Sequence, residues 1–146
     1  MRRAAAVALL TTLFATSAGA ASASSYFRTP SGNIVCGAFT GPGYPALLEC
    51  GVVSGLVPPP RRPGASACRD DDFASSRIHL NATGRPYGFC SGDVGVLAEA
   101  GSAPVLGYGK SLRAGPFSCA SARTGLSCRN RSGHGFFLSR QAWHTF

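Results

Sequence analysis

The sequence predicts a mainly β fold: a small disulfide-stapled antiparallel sheet or partly open barrel, closed by a short C-terminal helix. Three observations predict it. Six cysteines occur in 146 residues, and an even count in a small exported chain reads as a disulfide framework. Apolar residues recur with the two-residue period of strands in short runs separated by turn residues. The 19 glycines and 10 prolines punctuate the chain too often for long helices.

The chain opens with Met1-Arg2-Arg3 and an apolar, acid-free run over residues 4–18. Ala18-Gly19-Ala20 and Ala21-Ser22-Ala23 both fit the small-x-small rule, so residues 1–23 are expected to be a signal peptide cleaved after Ala20 or Ala23. The run is shorter than the ~20 residues a bilayer span needs. No transmembrane segment is therefore expected after cleavage, and residues 24–146 are expected to form a single disulfide-bonded β domain. The expected location is extracellular or at the cell envelope. Loss of Arg2 and Arg3 would lower the formal charge from +8 to +6, which favours anionic partners. Export makes nucleic acid a poor candidate.

After a short disordered start over residues 22–25, Ser31-Gly32-Asn33 turns the chain into a strand with Ile34, Cys36 and Ala38 on one face. The loop Gly41-Pro42-Gly43-Tyr44-Pro45 leads to a return strand with Leu48, Cys50 and Val52 on one face, which pairs Cys36 with Cys50. Val57-Pro58-Pro59-Pro60-Arg61-Arg62-Pro63-Gly64 is expected to be a stiff surface strap. Asp70-Asp71-Asp72 reads as a solvated turn, because a calcium loop needs alternating oxygen ligands. Residues 77–81 alternate, with Ile78 and Leu80 inward and His79 outward, and residues 87–90 return. Residues 94–100 fit a short helix or a further strand. In the final hairpin Phe117 and Cys119 face Leu126 and Cys128 around a turn at Thr124-Gly125, which pairs Cys119 with Cys128. Cys68 with Cys90 is then the remaining bridge. Asn81-Ala82-Thr83 and Asn130-Arg131-Ser132 match the glycosylation acceptor pattern and read as accidental matches.

Several segments resemble a family of small exported bacterial proteins, common in actinobacteria, that carry a domain of unknown function. They are Phe27-x-Thr29-Pro30-Ser31-Gly32-Asn33-Ile34-x-Cys36, Cys90-x-Gly92-Asp93, Leu106-Gly107-Tyr108-Gly109, Gly125-Leu126-x-Cys128-x-Asn130 and Gly133-His134-Gly135-Phe136-x-Leu138-Ser139-Arg140. The resemblance spans residues 27–146 and implies export and disulfides without a mechanism. The chain departs from the family pattern at Asp72-Phe73-Ala74, where Asp-Trp-Gly is usual.

No metal site is expected, because close Cys-x-x-Cys or Cys/His pairs are missing, and no cofactor is implied. The best functional expectation is a non-catalytic binding or inhibitor-like module, since a rigid stapled β domain presents loops at little ordering cost. Its candidate surface is Arg129, Arg131, His134, Arg140 and Trp143, a mixture of arginine and aromatic types found at interface hot spots. Trp143 and Phe146 alternatively close the core from a helix capped by Ser139. The expected partner is an acidic extracellular protein or an anionic envelope polymer. Two alternatives stand beside binding: a structural envelope component, and a small secreted hydrolase using His134 with Asp93 and Ser31 or Ser139.

Overall fold

The structure is a computed structural model and describes residues 23–59 and 75–146. The expected leader up to Ser22, most of the proline strap, Asp70-Asp71-Asp72 and Cys68 lie outside the described residues. Among the described residues the chain forms two five-stranded antiparallel sheets, each a meander in which neighbours in sequence are neighbours in space. The first contains β1 (Ala23–Arg28), β2 (Ile34–Gly41), β3 (Tyr44–Val52), β4 (Ser75–Asn81) and β5 (Tyr87–Ser91). The second contains β6 (Ser111–Ala114), β7 (Phe117–Ala122), β8 (Gly125–Arg129), β9 (Gly135–Leu138) and β10 (Trp143–Thr145). Between them lies one 3-10 helix, η1 (Gly95–Glu99).

The sheets share one core. Phe27, Ile34, Cys36, Leu48, Cys50, Ile78 and Leu80 come from the first, and Phe117, Cys119, Leu126, Cys128, Phe136 and Leu138 from the second. The inward residues of β2, β3, β4, β7 and β8 are those the two-residue period assigned. Each predicted hairpin bridge joins residues directly opposite in register, Cys36 with Cys50 and Cys119 with Cys128. The sulfurs of Cys36, Cys50 and Cys128 lie within 4.8 Å of one another, so the two bridges abut at the centre of the core. Bridged sulfur offers no thiolate, so this cluster is no metal site. Cys90 is also disulfide-bonded; its expected partner, Cys68, lies outside the described residues.

Three expectations are corrected. The fold is two packed sheets, rather than one sheet or an open barrel, because β6 to β10 form a second meander of their own. The C-terminal helix is replaced by β10, which pairs with β9 through Trp143 opposite Leu138. Ser139 does accept bonds from the Gln141 and Ala142 amides, as an N-cap would. Its hydroxyl also donates to the Ala142 carbonyl, and the Ser139 amide bonds the same oxygen. That closes a tight turn and sends the chain back as a strand. Ser24 and Ser25, expected to be disordered, belong to β1 and pair with Phe39 and Ala38.

Candidate functional site

Two places on this scaffold gather polar side chains. The first is a cluster on the outer face of the first sheet. Register sets Gly37, Glu49, His79 and Tyr87 in one row across β2 to β5, and Gly51, Arg77 and Phe89 in the next. The glycines leave space. A Cβ on Gly37 would meet Val96 and Phe39, and one on Gly51 would meet Leu97, so η1 sits where these two side chains are missing.

Beneath η1, Glu49 makes three contacts. Oε1 accepts the Val96 amide at 3.1 Å and lies 3.3 Å from Arg77 Nε; Oε2 lies 2.9 Å from His79 Nε2. Burial pushes the Glu49 carboxyl up, but the bond to His79, the Val96 amide and the charge of Arg77 together outweigh it and hold the group below the usual glutamate value. An ionised Glu49 only accepts, so the proton on this bond belongs to His79 Nε2. Arg77, 1 % exposed, also donates from Nη1 to Asp93 Oδ1 at 2.9 Å, and its guanidinium lies over Phe89. The His79 ring stacks on Phe89 at 4.3 Å and meets Tyr87 edge-on. These groups pair with one another beneath η1, although Arg77 Nε meets Glu49 only as an ion pair and has no hydrogen bond, and what the arrangement does is dock η1.

His79 thus faces outward as expected but is 7 % exposed, and it is the histidine in the more shaped setting. His134 sits in the β8–β9 turn, where its amide donates to Asn130 Oδ1 and its carbonyl accepts the Asn130 amide. Asn130 is the organiser there. Its Nδ2 donates to the carbonyls of Asn81 and Gly84, tying this turn to the β4–β5 turn of the other sheet. An amide so engaged and buried is a poor glycan acceptor.

The second place is a cleft of about 170 Å³ at the opposite end of β8 and β9. One wall is the β1–β2 turn. Thr29 Oγ1 accepts the Ile34 amide and bonds Ser31, Ser31 Oγ accepts the Asn33 amide, and the Asn33 side chain exchanges two bonds with Ser54. The other wall is made by the β7–β8 turn, with Arg123 and Thr124, and by the β9–β10 turn, with Ser139, Arg140 and Gln141. Those two turns touch because position 125 is glycine: a Cβ there would strike the Leu138 carbonyl and the Phe137 ring. The Arg123 guanidinium lies 5.3 Å over the Tyr108 ring, which also lines the cleft. Among the described residues no acidic side chain lines it.

The five candidate binding residues do not form one surface. Arg140 lines the cleft. Arg131 and His134 belong to the opposite end of the sheet, where Arg131 borders a hollow with Pro45, Asn81 and Pro116. Arg129 is on the outer face, over the Phe146 ring. Trp143 packs against the core, and its indole N–H donates to the Pro58 carbonyl at 2.6 Å. The residues considered for hydrolysis are also separated: Asp93 pairs with Arg77, Ser31 and Ser139 form cleft walls, and His134 lies at the far end of β9.

Sequence reasoning missed Glu49, Arg77, Arg123 and the separation of charge. All six acidic residues precede Gly101, whereas residues 101–146 contain Lys110, Arg113, Arg123, Arg129, Arg131 and Arg140. Residues 24–100 carry equal numbers of each sign, so the whole excess expected for the mature chain sits in the second sheet and its turns. Acid positions plotted along the chain would have shown it.

No helix among the described residues is long and apolar enough to cross a membrane. Neither the curated proteins nor the solved structures contain a match to this chain. A family match covers residues 7–146, and with it the chain belongs to a family of unknown function, DUF6636.

Proposed function

We propose that this protein is an exported, disulfide-held binding module that engages an anionic envelope polymer through its second sheet. The observation that carries the reading is the charge separation: six basic residues and no acidic one over residues 101–146. Such a one-signed field attracts polyanions and speeds their encounter. Register supports it further, placing Arg113, Ser118, Arg129 and Gly135 in one row across the outer face of β6 to β9. The leader-like residues 1–23 support export, and the abutting bridges suit a rigid domain outside the cytoplasm.

Retention of the oxidised chain on immobilised polygalacturonate and on neutral dextran tests this. Retention on the anionic matrix only, lost as salt shortens the Debye length from about 30 Å to about 3 Å, is the expected result. Arg113→Glu with Arg129→Glu should release the protein at much lower salt. Equal retention on both matrices, or elution unmoved by the double substitution, would end the proposal.

A further inference from the structure

We propose that the cleft beside Tyr108 binds one acidic sugar unit, a ring carrying a carboxylate or a phosphate ester, and so gives the polymer its point of specific attachment. This rests on the binding reading above and narrows it from a charged face to a site.

Chemistry comes first. Arg123 and Arg140 reach the same cleft from two different turns, and among the described residues neither forms an ion pair. Arg123 and Arg140 bring two positive charges to the lining of a cleft with no carboxylate among its described lining residues, and a bound anion is attracted to both. The planar fork of arginine matches a carboxylate or phosphate in two parallel bonds. Holding Arg123 against the Tyr108 ring at 5.3 Å lowers the entropy lost when it binds.

The walls decide between ligand classes. Thr29, Ser31, Asn33 and Ser139 spend their side-chain bonds on the turns themselves, which fixes the shape of the cleft. Thr124 and Gln141 make no such bonds among the described residues and line the same space, so their hydroxyl and amide are open to sugar hydroxyls. A cleft of about 170 Å³ is smaller than the roughly 300 Å³ at which drug-sized ligands begin. It suits a single ring. A protein partner would want a desolvated apolar centre, and this lining is polar.

An NMR titration of the oxidised chain with glucuronate, glucose 6-phosphate, glucose and inorganic phosphate tests the site. Both acidic sugars should shift the amides of Thr124, Arg140 and Gln141 saturably. Glucose and inorganic phosphate should each bind at least about tenfold more weakly, because each supplies only half of the contacts. Arg123→Ala and Arg140→Ala should each weaken the acidic sugars by about tenfold, with Arg85→Ala, exposed in the β4–β5 turn of the first sheet and outside the cleft, as an unaffected control. Inorganic phosphate binding as well as the sugars would overturn the proposal, as would a hexaglutamate peptide saturating the same amides more tightly. Shifts lying elsewhere, or insensitive to both arginine substitutions, would overturn it too. If polygalacturonate retention survives those results, only the site is lost; if retention is absent in the unsubstituted chain, both readings fall.

Discussion

On the outer face of the first sheet, burial and charge are balanced locally: Glu49 answers Arg77 and His79, and the cluster carries a helix as its lid. On the outer face of the second sheet, Arg113 is exposed, Arg129 lies over an aromatic ring, and no residue of that sheet is acidic. The same meander topology thus carries an internal joint on one side and an unanswered positive surface on the other. The contrast teaches that charge in a β sandwich supports the fold where it is buried and paired, and is available for partners where it is exposed and one-signed.

The largest expected effect strikes the first side. Glu49→Ala leaves the buried Arg77 guanidinium with only the exposed Asp93 carboxylate beside it, and removing one member of a buried pair costs about 3–5 kcal/mol. Urea denaturation should show it. Acid should do the same by degrees. The Glu49 pKa is depressed in the folded protein, so its contribution is complete above the unfolded glutamate value of about 4.3 and is lost as pH falls through the lower folded value. A Glu49→Ala variant as stable as the parent at neutral pH would mean that the cluster contributes nothing.

Next come the bridges, one in each sheet. Replacing Cys36 and Cys50 by alanine opens a loop with separation 14, and replacing Cys119 and Cys128 one with separation 9. Loop entropy puts both near ~3 kcal/mol, the first larger by only a few tenths. Thermal melts of the two double variants compare the sheets directly. A tenfold difference in unfolding constant would show that one sheet, and not the shared core, dominates stability.

Smaller again is Gly37→Ala. The new methyl would press on Val96 and on the Phe39 ring, an overpacking cost of about 1–3 kcal/mol. It should loosen η1 before the sheet. Faster hydrogen exchange at the Val96 amide, with Leu48 and Ile78 still protected, would report that order; uniform loss of protection would contradict it.

The inner faces were legible because the two-residue period and the cysteine positions agree: once Cys36 faces Cys50, the faces of Ile34, Ala38, Leu48 and Val52 follow. The outer-face cluster was not. It depends on β3 pairing with β4 across a long connection, so that Glu49 meets His79, and the period of either strand says nothing about that partner. The cleft was half legible. Ser31-Gly32-Asn33 and Ser139-Arg140 stood out as segments, but only the packing of one sheet on the other brings them together with Arg123. The C-terminal strand was misread because an N-cap and a tight serine turn share their first two hydrogen bonds, and the carbonyl that Ser139 bonds next decides between them.

The finest comparison lies within the second sheet. Arg113 is exposed and forms no ion pair or ring contact among the described residues, while Arg129 lies 5.6 Å over the Phe146 ring. A cation over an exposed ring contributes about 0.5–1 kcal/mol, so Arg129→Ala should lower stability by that amount. Arg113→Ala removes one charge from a face of like charges and should change stability by less than about 0.5 kcal/mol, in either direction. Salt sharpens the difference. Screening relieves repulsion among the basic residues, so modest salt should raise the melting temperature of the parent and raise that of Arg113→Ala less. If salt lowers both melting temperatures equally, attraction outweighs repulsion on this face, and the picture of an unanswered positive sheet is wrong.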